Sequence, residues 1–302
     1  MQKPYQEKPY YYSREGVGFH FLAPPPEDIR SPKYLNGDDP ENAICSVLAH
    51  AQNGNFAPCW RLIELMQLHD DWLVWYDCGR LLAYTAPRSL LQELLATFSD
   101  QVTRQAHTAK WIGWILGQSG SLWAAPEILR LFYLHPPGRS LSEKTREWWL
   151  PDYLSFLLEK EGQVIADGPG LILLLRDPEW PEWVDSESFY DDEGYRQDVM
   201  KRYDAVRSRV SDPEHNCVCE GEILSLRRIA QGLLERLPKL QHLLTQDEMW
   251  LEILEAYTGI DMTSNHKHPH LAVKQVEQFL ASPTIEEYEP GVRYFFGYRI
   301  PD

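Results

Sequence analysis

Three groupings in this 302-residue chain bring together side chains that could do chemistry. His215, Cys217 and Cys219 form His-x-Cys-x-Cys, an imidazole beside two soft thiols, which are zinc-type ligands. The usual structural pairs are spaced by two or more residues, and no second cysteine pair supplies a fourth ligand. His266, His268 and His270 alternate, so an extended strand would turn all three one way. Successive positions on that face lie about 6.5 Å apart, so all three could hardly share a zinc at bond lengths of about 2.1 Å. Pro269 instead suits the first turn of a following helix. Gly117-Gln118-Ser119-Gly120-Ser121 approaches a nucleophile elbow, but its second glycine comes one position early, so it reads as a helix-ending turn. Phosphate-cradling glycine loops, a Walker sequence and His-Glu-x-x-His are missing. The expectation is a non-enzyme with no catalytic residue, no metal and no cofactor.

Chemistry of recognition is better represented. Residues 177–193 carry Asp177, Glu179, Glu182, Asp185, Glu187, Asp191, Asp192 and Glu193 with no Lys or Arg, interleaved with Trp180, Trp183, Phe189 and Tyr190. Aromatics set among carboxylates suit a protein interface, where the rings are desolvated anchors and the charge steers a cationic partner. Asp70 and Asp71 extend the candidate partner-binding set, with Asp77 expected on the same side; either Asp70 or Asp71 also suits a helix cap. Trp72/Trp75 and Trp111/Trp114, spaced i, i+3, are expected to pack as helix core.

The elements that must position these residues follow from apolar spacing. From residue 41 onward it is helical, predicting helices near 41–52, 58–69, 71–84, 87–98, 101–117, 122–134, 142–160, 169–176, 196–210, 220–236, 238–257 with a break near Gln246, and 269–281. Residues 1–40 are proline- and tyrosine-rich and form an irregular arm with a possible strand at 17–22; residues 283–302 form a tail with a possible strand at 292–300. The central domain is 41–282, with a sub-boundary near 177–195.

Ala57-Pro58, Ala86-Pro87 and Ala125-Pro126 each open an amphipathic segment, and the first two align Leu62 with Leu91, Leu65 with Leu94 and Asp71 with Asp100. Helix pairs recurring every 30–40 residues or so are the signature of a stacked solenoid. Residues 41–135 accordingly resemble HEAT-like helical repeats, which implies an all-α fold of antiparallel helix pairs.

The formal charge is 29 − 45 = −16, which disfavours nucleic acid and favours basic partners. No apolar stretch long enough for a membrane span is evident. An odd, scattered set of five cysteines reads as reduced thiols, and the N-terminus lacks a secretory pattern, so a cytoplasmic protein is expected. In acidity, helicity and size the chain is similar to bacterial immunity proteins of polymorphic toxin systems. That resemblance implies a basic protein partner, a cognate toxin domain neutralised by occlusion. A helical scaffold or adaptor is the alternative, and a HEAT-like nucleic-acid-processing enzyme, such as a DNA-repair glycosylase, the second.

Overall fold

The helices begin where proline and a capping side chain allow it. The computed structural model describes residues 19–21, 24–134, 149–159, 192–239, 245–262 and 269–302, which are mostly helical. Helices α1 (Pro32–Leu35) and α2 (Pro40–Ala51) both open on proline, whose missing N–H costs a helix start nothing. Asp39 caps α2 by accepting from the N–H groups of Glu41 and Asn42 at 3.1 and 3.3 Å. Helix α3 (Trp60–Leu68) follows a short 3-10 turn holding Pro58, and α4 (Trp72–Thr85) is capped by Asp71, whose Oδ1 accepts from Leu73 N–H at 2.9 Å.

Next come α5 (Arg88–Thr97), α6 (Ser99–Arg104), α7 (Ala106–Gln118), α8 (Ala125–Leu134), α9 (Trp149–Leu158), α10 (Asp192–Arg207) and the hairpin β1 (Val218–Cys219)–β2 (Glu222–Ile223). The chain ends with α11 (Leu226–Arg236), α12 (Thr245–Thr258), α13 (Pro269–Ala281) and the hairpin β3 (Tyr294–Phe295)–β4 (Tyr298–Arg299). These elements fold as two compact units, one from Met1–Pro87 with Ser225–Pro301, the other from Arg88–Leu224.

In the first unit α2, α3 and α4 pack on one another, burying Ile44, Leu48, Leu62, Leu65, Leu81 and Leu82 almost completely. Each such side chain contributes about 1.5–3 kcal/mol. The β3–β4 turn caps α12: Phe296 and Gly297 N–H donate to the Ala256 and Tyr257 carbonyls, both at 2.7 Å. Arg293 does the same for α4, reaching Ala83 and Ala86 carbonyls at 2.5 and 2.6 Å. In the second unit α7, α8 and α9 share a core of Ile112, Ile115, Ile128 and Leu154. Gly117 permits this approach, since a Cβ there would stand 2.5 Å from Tyr153.

Several expectations are corrected. The helix expected over 101–117 is two, because Gln105 is extended (φ −132°, ψ 109°). The helix expected from 220 begins at Leu226; Glu220 and Gly221 both have positive φ and form the two-residue turn between β1 and β2. The C-terminal strand is a hairpin closed on itself, and residues 19–21 form no strand; Gln52 Nε2 instead donates to the Phe19 carbonyl at 2.6 Å. Among the described residues, no helix is long and apolar enough to cross a membrane.

Candidate functional site

The helical repeat of α3 places Trp60, Glu64 and Leu68 at i, i+4, i+8, a stripe spanning about 12 Å. Its opposite face, with Leu62, Ile63, Leu65 and Met66, is buried. Leu68 ends the helix, and Asp70 and Asp71 form the turn into α4, which begins with Trp72. Leu68 is 68% exposed, Trp72 63% and Trp60 44%; only Tyr298 joins them as an exposed large apolar side chain among the described residues. Asp70 and Asp71 are exposed between Leu68 and Trp72, and neither is in an ion pair among the described residues. The one cation on α3, Arg61, is engaged: Nη1 pairs with Glu64 at 2.7 Å, while Nε and Nη2 donate to the Leu35 and Gly37 carbonyls, both at 3.2 Å. This corner is therefore an apolar ridge carrying unneutralised negative charge.

Two expectations about this corner are corrected. Trp72 is not core: it occupies the first position of α4 and stays in water, whereas Trp75 is buried and its indole N–H donates to the His69 carbonyl at 2.8 Å. Asp77 does not join Asp70 and Asp71, being buried inside α4. Residues Asp177, Glu179, Trp180, Glu182, Trp183, Asp185, Glu187, Phe189, Tyr190 and Asp191 lie outside the described residues. Asp192 begins α10, and the exposed Glu193 accepts from Gln197 Nε2 at 2.9 Å.

His215, Cys217 and Cys219 have separate surroundings, one exposed and two buried. Exposed His215 turns its Nδ1 to Asp212 at 2.9 Å. Cys217 and Cys219 are both buried, with Cys217 Sγ directed to the Ser119 carbonyl at 3.6 Å. His266 and His268 lie outside the described residues, and only the backbone of His270 is described, in α13. Ser119 sits in the expected turn, its hydroxyl donating to the Leu116 carbonyl at 2.7 Å.

A second carboxylate grouping, in the first unit, is buried except for the half-buried Glu248 and was not singled out from the sequence. Glu248, Glu252 and Glu255 recur at i, i+4, i+7 on α12, hence on one face. Arg80 Nε pairs with Glu252 at 2.6 Å, and its guanidinium lies 4.6 Å from the Phe19 ring centroid. Asp247 pairs with Arg236 at 2.9 Å. Glu255 accepts from Phe19 N–H at 2.5 Å and Met262 N–H at 3.0 Å. Burial outweighs these bonds and pushes its carboxyl up to about 8. Burial also raises Glu248, with Glu252 and Asp247 adding like charge. His20 lies beside Glu255 and Asp261, the three ligand atoms within 4.8 Å of one another. Burial lowers the His20 pKa, while Asp261 and a backbone hydrogen bond with Gly259 oppose that fall.

In the second unit, a half-open cleft of about 360 Å³ is lined by Pro126, Leu129, Tyr133, Met200 and two arginines, Arg130 and Arg196. Arg196 stacks 4.3 Å from the Tyr133 ring centroid. Cations on its wall suit an anionic guest and not a basic one. Comparison of the chain with protein-family models, with curated proteins and with solved structures finds no match.

Proposed function

We propose that this chain is a non-catalytic binding protein that docks an acidic-aromatic surface on a basic protein, in the manner of an immunity protein that occludes a cytoplasm-acting toxin domain. The observation that carries the reading is the corner at α3 and α4: Trp60, Leu68 and Trp72 exposed on one stretch of chain, with Asp70 and Asp71 between the last two. Exposed apolar side chains in one place mark interaction sites more than scattered ones do. Tryptophan is enriched among the residues that dominate binding energy, and the overall charge of −16 accelerates encounter with a cation.

The fold supports the same reading. Ala57-Pro58, Pro87 and Ala125-Pro126 all stand at helix starts, and α3 and α4 pack together across a three-residue turn. We infer a HEAT-like arrangement of helix pairs, whose loops and outer faces are free for recognition. The buried carboxylates support a non-catalytic role, since Glu252 holds Arg80 and Glu255 holds two backbone N–H groups.

The test uses the basic C-terminal domain of a protein encoded beside this one, mixed with the purified chain. A 1:1 complex on size exclusion, with association slowed by salt and affinity lost in a Leu68→Ser/Trp72→Ser variant, is expected. A complex indifferent to both the variant and salt, or no complex with any such domain, overturns the proposal.

A further inference from the structure

A buried imidazole nitrogen with nothing to bond is an unusual feature of a folded protein, and it asks for a ligand. His20 Nε2 is such an atom among the described residues. The Gly259 backbone lies near the ring and favours its protonated form. The tautomer protonated at Nδ1 leaves Nε2 a lone pair that no protein group uses. Metal-ligating histidines are oriented in this way, with the far nitrogen donating to a carbonyl or carboxylate.

The imidazole has two carboxylates for company. Glu255 comes from the last turn of α12 and Asp261 from the loop just beyond it. Gly259 reverses the chain between them: its φ is +72°, its N–H donates to the Glu255 carbonyl at 2.8 Å, and a Cβ there would meet Phe296 at 2.8 Å. The His20 ring packs on the Phe296 ring, with centroids 4.9 Å apart, which walls one side of the group with an apolar surface. Asp261 is exposed and His20 half-buried, so the other side is open to water and to an entering ion. Each Glu255 oxygen accepts one N–H and keeps a second lone pair.

We propose that His20, Glu255 and Asp261 bind a divalent first-row transition metal ion, of which Zn2+ is the fitting example. One imidazole and two carboxylates are a borderline-to-hard donor set that suits Zn2+, Co2+ or Mn2+ and gives Mg2+, which prefers oxygen alone, no advantage. The ligand atoms already lie within 4.8 Å of one another; bonds of about 2.1 Å in tetrahedral geometry place ligand atoms about 3.4 Å apart. Small side-chain rotations close that difference, and water completes the coordination on the exposed side. Ligation requires ionised carboxylates and a neutral imidazole, so binding strengthens with rising pH. The bound ion clasps the segment at Phe19 and His20 to the end of α12, stretches 236 residues apart at the Phe19–Glu255 bond.

The experiment takes the full chain, stripped with a chelator, and titrates it with Zn2+, Mn2+ and Mg2+ by calorimetry, with thermal melting in parallel. One equivalent of Zn2+ binding, a rise in melting temperature, weaker binding of Mn2+ and none of Mg2+ at the same concentration are expected. Asp261→Asn changes an exposed side chain, so the variant folds, and it lowers Zn2+ affinity at least tenfold. His20→Ala abolishes the site, and with it the visible absorption that Co2+ gains on binding the unaltered chain. His215→Ala, the control for the Asp212 pair, changes nothing. The proposal is overturned if no stoichiometric Zn2+ binds, or if Asp261→Asn and His20→Ala bind it as the unaltered chain does.

Discussion

The first unit holds two carboxylate groupings of similar composition and opposite environment. At the α3–α4 corner Asp70 and Asp71 stand in water beside exposed Leu68 and Trp72. On α12, Asp247, Glu252 and Glu255 are buried beside Arg236, Arg80 and backbone N–H groups. Solvated charges cost the fold nothing and keep their field, which reaches about 8 Å at physiological salt. Buried carboxylates must be bonded, and once bonded they hold segments in place, out of reach of a protein partner. Negative charge alone therefore does not set a docking surface apart; the proposed one is distinguished by exposure beside an apolar ridge.

Breaking the buried side should have the largest effect on stability. Arg80→Ala leaves Glu252 inside the protein without the guanidinium that holds it, and should cost about 3–5 kcal/mol. An Arg80→Met/Glu252→Met double variant should recover most of that loss. Denaturant unfolding checks both, and equal midpoints for Arg80→Ala and the unaltered chain would show that the pair is not structural.

Glu255 gives the buried side a dependence on pH. Its folded pKa of about 8 stands above the ordinary 4.5, so the folded state binds the proton more tightly than the unfolded one. The associated stability is complete below about pH 4.5 and is lost as pH rises through about 8. In chelator-treated protein, the melting temperature should fall across this window relative to Glu255→Gln, which has no proton to lose there. Parallel profiles for the two proteins would contradict the burial of that carboxyl.

At the exposed corner the balance should reverse. Leu68→Ser and Trp72→Ser should change stability by no more than about 0.5 kcal/mol, while together costing partner affinity about 30-fold or more, the scale of a hot spot of 2 kcal/mol. Melting curves and binding isotherms on the same samples separate the two effects. A large loss of stability with unchanged affinity would make this ridge part of the core and not an interface.

Helical content and most helix starts were legible because apolar period, proline and capping aspartate are local signals: Asp71 caps α4 and Pro126 opens α8, as their positions indicate. The hairpin at Glu220-Gly221 was hidden because a two-residue turn needs two positive φ values, and glutamate does not advertise one. The α12 face was hidden differently. Glu248, Glu252 and Glu255 repeat at helical spacing among Trp250, Leu251 and Leu254, a pattern that looks amphipathic with a wet acidic side. Only the return of Phe19 and Arg80 from distant parts of the chain buries it. Trp72 failed in the opposite sense: an i, i+3 spacing with Trp75 implies a shared face, but the first residue of a helix overhangs the end of the core.

Asp71 is where the two roles of a surface carboxylate overlap, and it offers the finest test. Its Oδ1 accepts from Leu73 N–H at 2.9 Å, so it caps α4, while its charge stands exposed beside Trp72. Asparagine retains the acceptor and loses the charge; alanine loses both. Asp71→Ala should therefore cost about 1 kcal/mol of stability, and Asp71→Asn only a small part of it. Association with a basic partner should slow equally in both variants, because steering depends on the charge and not on the cap. Stopped-flow association at low and high salt, beside denaturant midpoints, resolves the four values. If Asp71→Asn associates as fast as the unaltered chain, the carboxylate serves the helix alone, and attraction of a cation at this corner must come from elsewhere.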